Sequence, residues 1–205
     1  MARKAQPASR PEPARRAVGA VPSEVRIIGG QWKRTRLAVA DKAGLRPTPD
    51  RVRETLFNWL SHDLSGWRCV DAFAGTGALG LEAASRGATQ VLLVEQDAEL
   101  VARLRDTVTR LNAQAAVKVE RGNALSVLAR LAAASTDLIF LDPPFDANLA
   151  DKALGAAAPA LAPEGVIYLE APSAWNDASL SNFGLSCLRH LKAGAVHAHL
   201  LGRTA

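Results

Sequence analysis

The stretch Asp137-Leu-Ile-Phe-Leu-Asp-Pro-Pro-Phe145 joins four apolar residues to a carboxylate, two prolines and an aromatic ring. That combination suits one demanding reaction. An exocyclic amino group on a nucleobase is a poor nucleophile, because its lone pair is delocalised into the ring. A site that alkylates it needs acceptors for its two N–H bonds and negative charge to stabilise the cation that forms. Asp142 supplies a carboxylate and Pro143 a backbone carbonyl. Pro143 and Pro144 hold an extended loop and add no competing N–H donors. Phe145 offers a face on which a base can stack, a contact worth roughly 1–3 kcal/mol per base. The plainer alternative is a loop cap followed by two strand-ending prolines.

A second stretch, Asp71-Ala-Phe-Ala-Gly-Thr-Gly-Ala-Leu-Gly80, carries glycines at 75, 77 and 80 between an apolar run and a helical pattern. Glycines there allow a sharp turn and close approach of a ligand to the backbone. Glu95 ends the next apolar run and stands where an acid accepts hydrogen bonds from two ribose hydroxyls. Asn123 and Ala124 follow a third run and either line an adenine edge or, for Asn123, cap a helix. The candidate cofactor-binding residues are therefore Asp71, Phe73, Ala74, Gly75, Gly77, Gly80, Glu95, Gln96, Asn123 and Ala124. NAD and S-adenosylmethionine share adenosine, so these residues alone do not separate them.

The elements that must position these groups follow from periodicity. Strands are expected near 68–73, 90–95, 116–120, 137–141 and 165–169, and helices near 78–86, 97–112, 123–133 and 149–160. Such alternation implies a parallel sheet covered by helices on both faces. Leu185–Lys192 and Val196–Leu201, joined across Ala193-Gly194-Ala195, form a hairpin that adds an antiparallel strand. That addition is typical of S-adenosylmethionine-dependent methyltransferases and unusual in dinucleotide folds. The expected fold is α/β and Rossmann-like: a mostly parallel seven-stranded sheet with an antiparallel C-terminal hairpin strand. Ahead of it stand a small strand pair, Val25–Ile28 with Arg36–Val39, and a helix. Thr48 is placed as that helix's N-cap and Pro49 at its first position. Val52, Leu56, Trp59 and Leu60 form its inner face.

At 205 residues the chain is one ordinary domain with some excess length. Residues 1–22 are expected to be a disordered basic tail, and 23–205 a single domain with an RNA-binding extension at about 25–48. Residues 1–53 hold 13 Lys and Arg against 4 Asp and Glu, so the overall charge of +5 originates in the first quarter of the chain. A polyanion is the natural partner of such asymmetry. Lys33, Arg34, Arg36, Arg46, Arg51 and Arg53 are candidate phosphate contacts. Trp32 either stacks on a base or packs inward. Cys69 and Cys187 fit no metal or redox spacing and read as buried thiols. His197 and His199 share a strand face without a third ligand, so no metal is expected. No apolar run approaches the ~18 residues of a membrane span, and no secretory signal is evident, which suggests a cytoplasmic protein.

Taken together, Arg26-Ile-Ile-Gly-Gly-Gln-Trp32, Gly44-Leu-Arg-Pro-Thr48, Asp50–Leu60, Phe73–Glu82 and Asp142-Pro-Pro-Phe145 resemble the bacterial 16S rRNA (guanine(966)-N(2))-methyltransferases. The resemblance runs from about Arg26 to Arg203. It implies methyl transfer from S-adenosylmethionine to N2 of a guanine in small-subunit ribosomal RNA. The catalytic residues would be Asp142, Pro143, Pro144 and Phe145. It also implies that the basic N-terminal strands, with Arg26, grip ribosomal RNA or a small-subunit assembly particle. The Arg46–Arg53 region, including Thr48, would close over the cofactor. Nothing in the sequence demands a dimer, so a monomer is expected. The competing readings are a DNA adenine-N6 methyltransferase, an NAD-dependent oxidoreductase without a substrate domain, and a non-catalytic RNA-binding module.

Overall fold

A computed structural model describes residues 23–42, 48–144 and 149–204. The tail expected at residues 1–22, together with Arg46 and Phe145, lies outside the described residues.

The chain opens with a short antiparallel pair, β1 (Glu24–Arg26) and β2 (Arg36–Ala38), in which Val25 faces Leu37. Helix α1 (Asp50–Leu60) follows. The sheet then builds as β3 (Arg68–Asp71), α2 (Ala78–Ser85), β4 (Gln90–Glu95), α3 (Ala98–Arg110), β5 (Val117–Arg121), α4 (Ala124–Leu128), β6 (Thr136–Leu141), α5 (Leu149–Ala157) and β7 (Leu161–Ala171). A short helix α6 (Asp177–Ser181) precedes the hairpin β8 (Leu185–Ala193) and β9 (Val196–Arg203). Seven strands form one sheet in the order β5-β4-β3-β6-β7-β9-β8. The neighbours from β5 to β7 pair in parallel, and β9 inserts antiparallel to both β7 and β8. This is the Rossmann-like methyltransferase sheet that the alternation and the terminal hairpin predict.

Each face of the sheet has its own apolar layer, because strands buried on both sides need helices above and below. On one face Phe140 and Tyr168 pack beneath Phe57 of α1, with ring centroids 6.2 Å (Phe57–Phe140) and 6.3 Å (Phe140–Tyr168) apart. On the other, Ile139, Leu141 and Leu169 meet Val127 of α4 and Leu154 of α5. The strand order reverses between β3 and β6, the switch point beside which doubly wound sheets leave a crevice at the strands' carboxyl ends.

Several local expectations are corrected. Pro49 has ψ 145° and is extended, so α1 begins at Asp50 and Thr48 stands outside it without capping it. The inner face of α1 is Val52, Arg53, Leu56 and Phe57, while Trp59 and Leu60 are half-buried. α4 stops at Leu128 rather than near 133, and Ala134 adopts a left-handed turn, φ 52°. α5 gives way to a single 3-10 turn at Ala158–Ala160, where Pro159 has no N–H to continue an α-helix. β7 is longer than expected, and α6, capped by the Asn176 side chain, has no counterpart in the periodicity. Cys69 is buried, but Cys187 is only half-buried.

Candidate active site

The N-terminal extension reaches the sheet through one buried acid. Glu82 of α2 accepts the backbone N–H groups of Ile28 (2.6 Å) and Gly29 (2.7 Å) and bonds the Arg86 guanidinium at 2.8 Å. Ser85 adds a bond to the Gly29 carbonyl and receives the Trp32 N–H. β1 and β2 are thereby fixed against the end of α2, and Thr48 stands at the carboxyl edge of the sheet.

At that edge lies a cavity of about 230 Å³, lined by Thr48, Asp71, Ala72, Phe73, Ala74, Gly75, Thr76, Ala78, Leu79, Val94, Glu95, Gln96, Gly122, Asn123, Ala124, Leu125, Asp142, Pro143, Pro144 and Leu149. Residues following β3, β4, β5 and β6 thus converge on one space. Gly77 carries φ 78°, a conformation that strains any side chain, and its N–H bonds the Ala74 carbonyl to close the turn. Gly77 and Gly80 do not line the cavity. At Gly80 a Cβ would collide with the Leu93 side chain, and its N–H donates to Asp71 Oδ2 at 3.0 Å, so this glycine serves close packing of helix on strand.

Glu95 braces the glycine turn directly. Its Oε2 accepts the Gly75 N–H at 3.0 Å and its Oε1 accepts the Asp97 N–H at 2.8 Å. Each oxygen keeps a further lone pair for a ligand hydroxyl. Asn123 fulfils its capping role, accepting the Ser126 N–H at 3.2 Å, while also lining the cavity.

The end of the cavity at Asp142 is acidic. Thr48 Oγ1 donates to Asp142 Oδ2 at 3.4 Å. Burial first, then the nearby charges of Glu170 and Asp71, hold the Asp142 carboxyl well above the ordinary carboxylate range, while the Thr48 hydroxyl opposes them. Asp71 is pushed up to about 7, chiefly by burial, against the pull of the Gly80 N–H. Its Oδ1 is buried without a hydrogen-bond partner. Glu170, also raised by burial, accepts the Tyr168 hydroxyl at 2.8 Å. Three carboxyl groups therefore gather beside a cavity in which a cation would be stabilised.

Similarity to known proteins agrees with this geometry. A family model described as Conserved hypothetical protein 95 matches residues 25–202. The Ribosomal RNA small subunit methyltransferase D of Escherichia coli K12 is 44% identical over 149 residues, 72% of this chain and 74% of its own. The protein of the same name from Haemophilus influenzae is 40% identical over 151 residues, 72% of this chain and 78% of its own. The chain belongs to this family. Among solved structures, yhhF of Escherichia coli, described as a candidate methyltransferase, superposes with a TM-score of 0.74 at 36% identity, covering 89% of this chain and 99% of its own. A candidate methylase from Haemophilus influenzae gives 0.72 at 31% identity, with 89% and 99% covered.

The family extension carries most of the candidate RNA contacts, and they divide by exposure. Arg26, Lys33, Arg34, Arg36 and Arg51 are exposed. Arg36 also pairs with Glu24 at 3.3 Å, and Arg34 sits at φ 72° in the turn between the two strands. Trp32 is half-buried and packs against the core. Arg53 must be withdrawn from the phosphate contacts: its side chain is 0% exposed and lies between Asp50, at 2.7 Å, and Glu82, at 3.7 Å. Its position on the inner face of α1 is what hides it. A second cavity, about 530 Å³, lies between β2 and α3 and includes Arg36, Arg103 and Arg110. Arg103, which also pairs with Glu99 at 2.9 Å, and Arg110 were not singled out from the sequence, because they sit on a helix that reads as an ordinary solvated face.

His190, His197 and His199 stack at the hairpin, with His190 Nε2 2.9 Å from His197 Nδ1. Among the described residues no group of three or more His, Cys, Asp or Glu is arranged to hold a metal ion. Nor, among them, is any helix long and apolar enough to cross a membrane.

Proposed function

We propose that the chain transfers a methyl group from S-adenosylmethionine to the exocyclic N2 of a guanine in small-subunit ribosomal RNA. The observation that carries this reading is the shared wall of one cavity: the Gly75 turn and Glu95 on one side, Asp142 and Pro143 on the other. The names of its relatives support the ribosomal RNA substrate.

The residues present suit this cofactor. Glu95 has lone pairs free for a ribose diol, and Asn123, Ala124 and Leu125 provide a flat, mostly apolar wall for an adenine. The unpartnered Asp71 Oδ1 is an acceptor in want of a donor such as an amino-acid ammonium. When bound, S-adenosylmethionine supplies an electrophilic methyl on a positively charged sulfur.

Asp142 and the Pro143 carbonyl orient the guanine amine by accepting its two N–H bonds. Fixing the nitrogen in line with its target replaces a bimolecular encounter by a positioned one. Asp142 also stabilises the developing ammonium and takes its proton. A ring at Phe145 would support the base, which must leave its stack to enter the cleft. The exposed cations of β1, β2 and the turn between them hold the RNA backbone. We place the protein in the cytoplasm, where such a substrate resides.

Incubation with methyl-labelled S-adenosylmethionine and either ribosomal small subunits, naked ribosomal RNA or DNA tests this. Label in N2-methylguanine of the RNA is expected, and an Asp142→Ala variant should lose most of it. Label entering DNA alone would transfer the activity to adenine or cytosine amines of a duplex and reject the ribosomal reading.

A further inference from the structure

Behind Asp142 stands a residue that the reaction described above does not use. β6 and β7 run parallel in the register Leu141↔Leu169, and the next positions along them are Asp142 and Glu170. Neighbouring strands lie about 4.8 Å apart. Phe140 and Tyr168, two positions earlier, share one face of the sheet, and alternation returns Asp142 and Glu170 to that face. Glu170 is only 3% exposed and does not line the cavity. It is anchored from its own strand by the Tyr168 hydroxyl, itself 0% exposed.

We infer that Glu170, buried behind the cavity-lining Asp142, is a positioning residue that forms with it a carboxyl pair sharing one proton until a cationic cofactor occupies the adjoining cavity. The inference rests on the S-adenosylmethionine reading. Two carboxylates brought onto one face of adjacent strands ionise together only at a cost that a cation beside them removes. The groups that bear on the pair are Asp71 from β3, Tyr168 from β7 and Thr48 from the segment ahead of α1. Arg53 is the cation near this end of the cleft, its Nε 3.3 Å from the Thr48 carbonyl, but its charge is already shared by Asp50 and Glu82. Among the described residues no Lys or Arg forms an ion pair with Asp142 or Glu170. The unpartnered, buried Asp71 Oδ1 marks the same cleft as a place prepared for a positive ligand.

The pair then follows the charge of its neighbour. Docking of the sulfonium expels the shared proton to solvent and leaves Asp142 ionised, ready to accept the guanine N–H bonds. As the N–C bond forms, the C–S bond breaks and its electron pair stays on sulfur, which becomes a neutral thioether. The cation that kept the pair ionised has gone, and Asp142 takes the proton of the new ammonium. The pair regains its one-proton state, and the next sulfonium expels that proton.

Calorimetric titration of the purified protein near neutral pH, in two buffers of different ionisation enthalpy, reads the protons released on binding. S-adenosylmethionine should release on the order of 0.5–1 proton per site more than the neutral thioether S-adenosylhomocysteine. In Glu170→Gln, which keeps a bond to the Tyr168 hydroxyl, that difference should vanish. Should Glu170→Gln fail to fold, as judged by circular dichroism, Asp142→Asn removes the other member and carries the same expectation. Equal release by both ligands in the wild type, or an undiminished difference in the variant, would overturn the inference. Failure of the wild type to bind S-adenosylmethionine at all would instead remove the reading beneath it.

Discussion

Glu82 Oε2 lies 3.7 Å from Arg53 Nη1, and both side chains are wholly buried. The pair links the first turns of α1 to the middle of α2, while the other Glu82 contacts hold Ile28 and Gly29. Removing Arg53 leaves Glu82 its Arg86 partner and two backbone N–H groups, but deletes the bonds of the buried guanidinium to the Arg26 and Thr48 carbonyls, a loss of about 1–3 kcal/mol. Arg53→Ala should therefore lower the unfolding free energy by about that amount and leave the salt dependence of RNA binding unchanged. Denaturant unfolding and binding titrations at several salt concentrations check both halves. A stable variant with weaker RNA binding would restore Arg53 to the RNA surface.

Asp71 predicts how the ligand-free protein responds to pH. Its carboxyl is raised from 3.8 to about 7 by burial, so in this interval the native state holds a proton that the unfolded chain has released. Stability is then present below the unfolded value and falls as pH rises through about 7. The melting temperature of the ligand-free protein should decline across this window, and Asp71→Asn should flatten the decline. A slope unaltered by the substitution would assign the effect to another group.

Glu95→Ala should weaken S-adenosylmethionine binding by about 10–100-fold, since it removes the charge-assisted bonds that the proposal assigns to the ribose and releases the Gly75 N–H that shapes the turn. Calorimetry measures this. An unaltered dissociation constant would exclude the carboxylate from the ribose site.

The exposed cations around β2 test the RNA side of the proposal. Replacing Lys33, Arg34 and Arg36 together by alanine should weaken RNA binding and reduce the slope of log affinity against log salt by about 2. Cofactor affinity should be unaffected. A slope that stays constant would move the phosphate contacts elsewhere, with Arg103 and Arg110 of α3 next in line.

The alternation of apolar runs with helical patterns revealed most of the sheet because buried parallel strands are marked by continuous apolar residues. The glycine turn and Asp142-Pro-Pro were visible for a related reason: unusual residue types at strand ends. Glu170 carries no such mark, since one acid after Val166-Ile-Tyr-Leu169 looks like any charge leaving a strand. Its relation to Asp142 exists only in the register of β6 and β7, which periodicity does not contain. Thr48 was misjudged for the opposite reason. Thr-Pro-Asp has the local chemistry of a helix start, but the extended Pro49 frees the hydroxyl for a carboxylate 94 residues away. Arg53 shows the same limit: a charge on a helix reads as solvated until a buried acid from elsewhere in the chain is found beside it.

The most direct measurement is a crystal structure of the protein soaked with S-adenosylhomocysteine. The ribose hydroxyls should meet Glu95, the adenine should lie against Asn123 and Leu125, and the sulfur should face the Asp142 carboxylate across an opening fit for a guanine amine. A thioether bound away from the Gly75 turn, or one whose sulfur points away from Asp142 and Pro143, would contradict methyl transfer at this site.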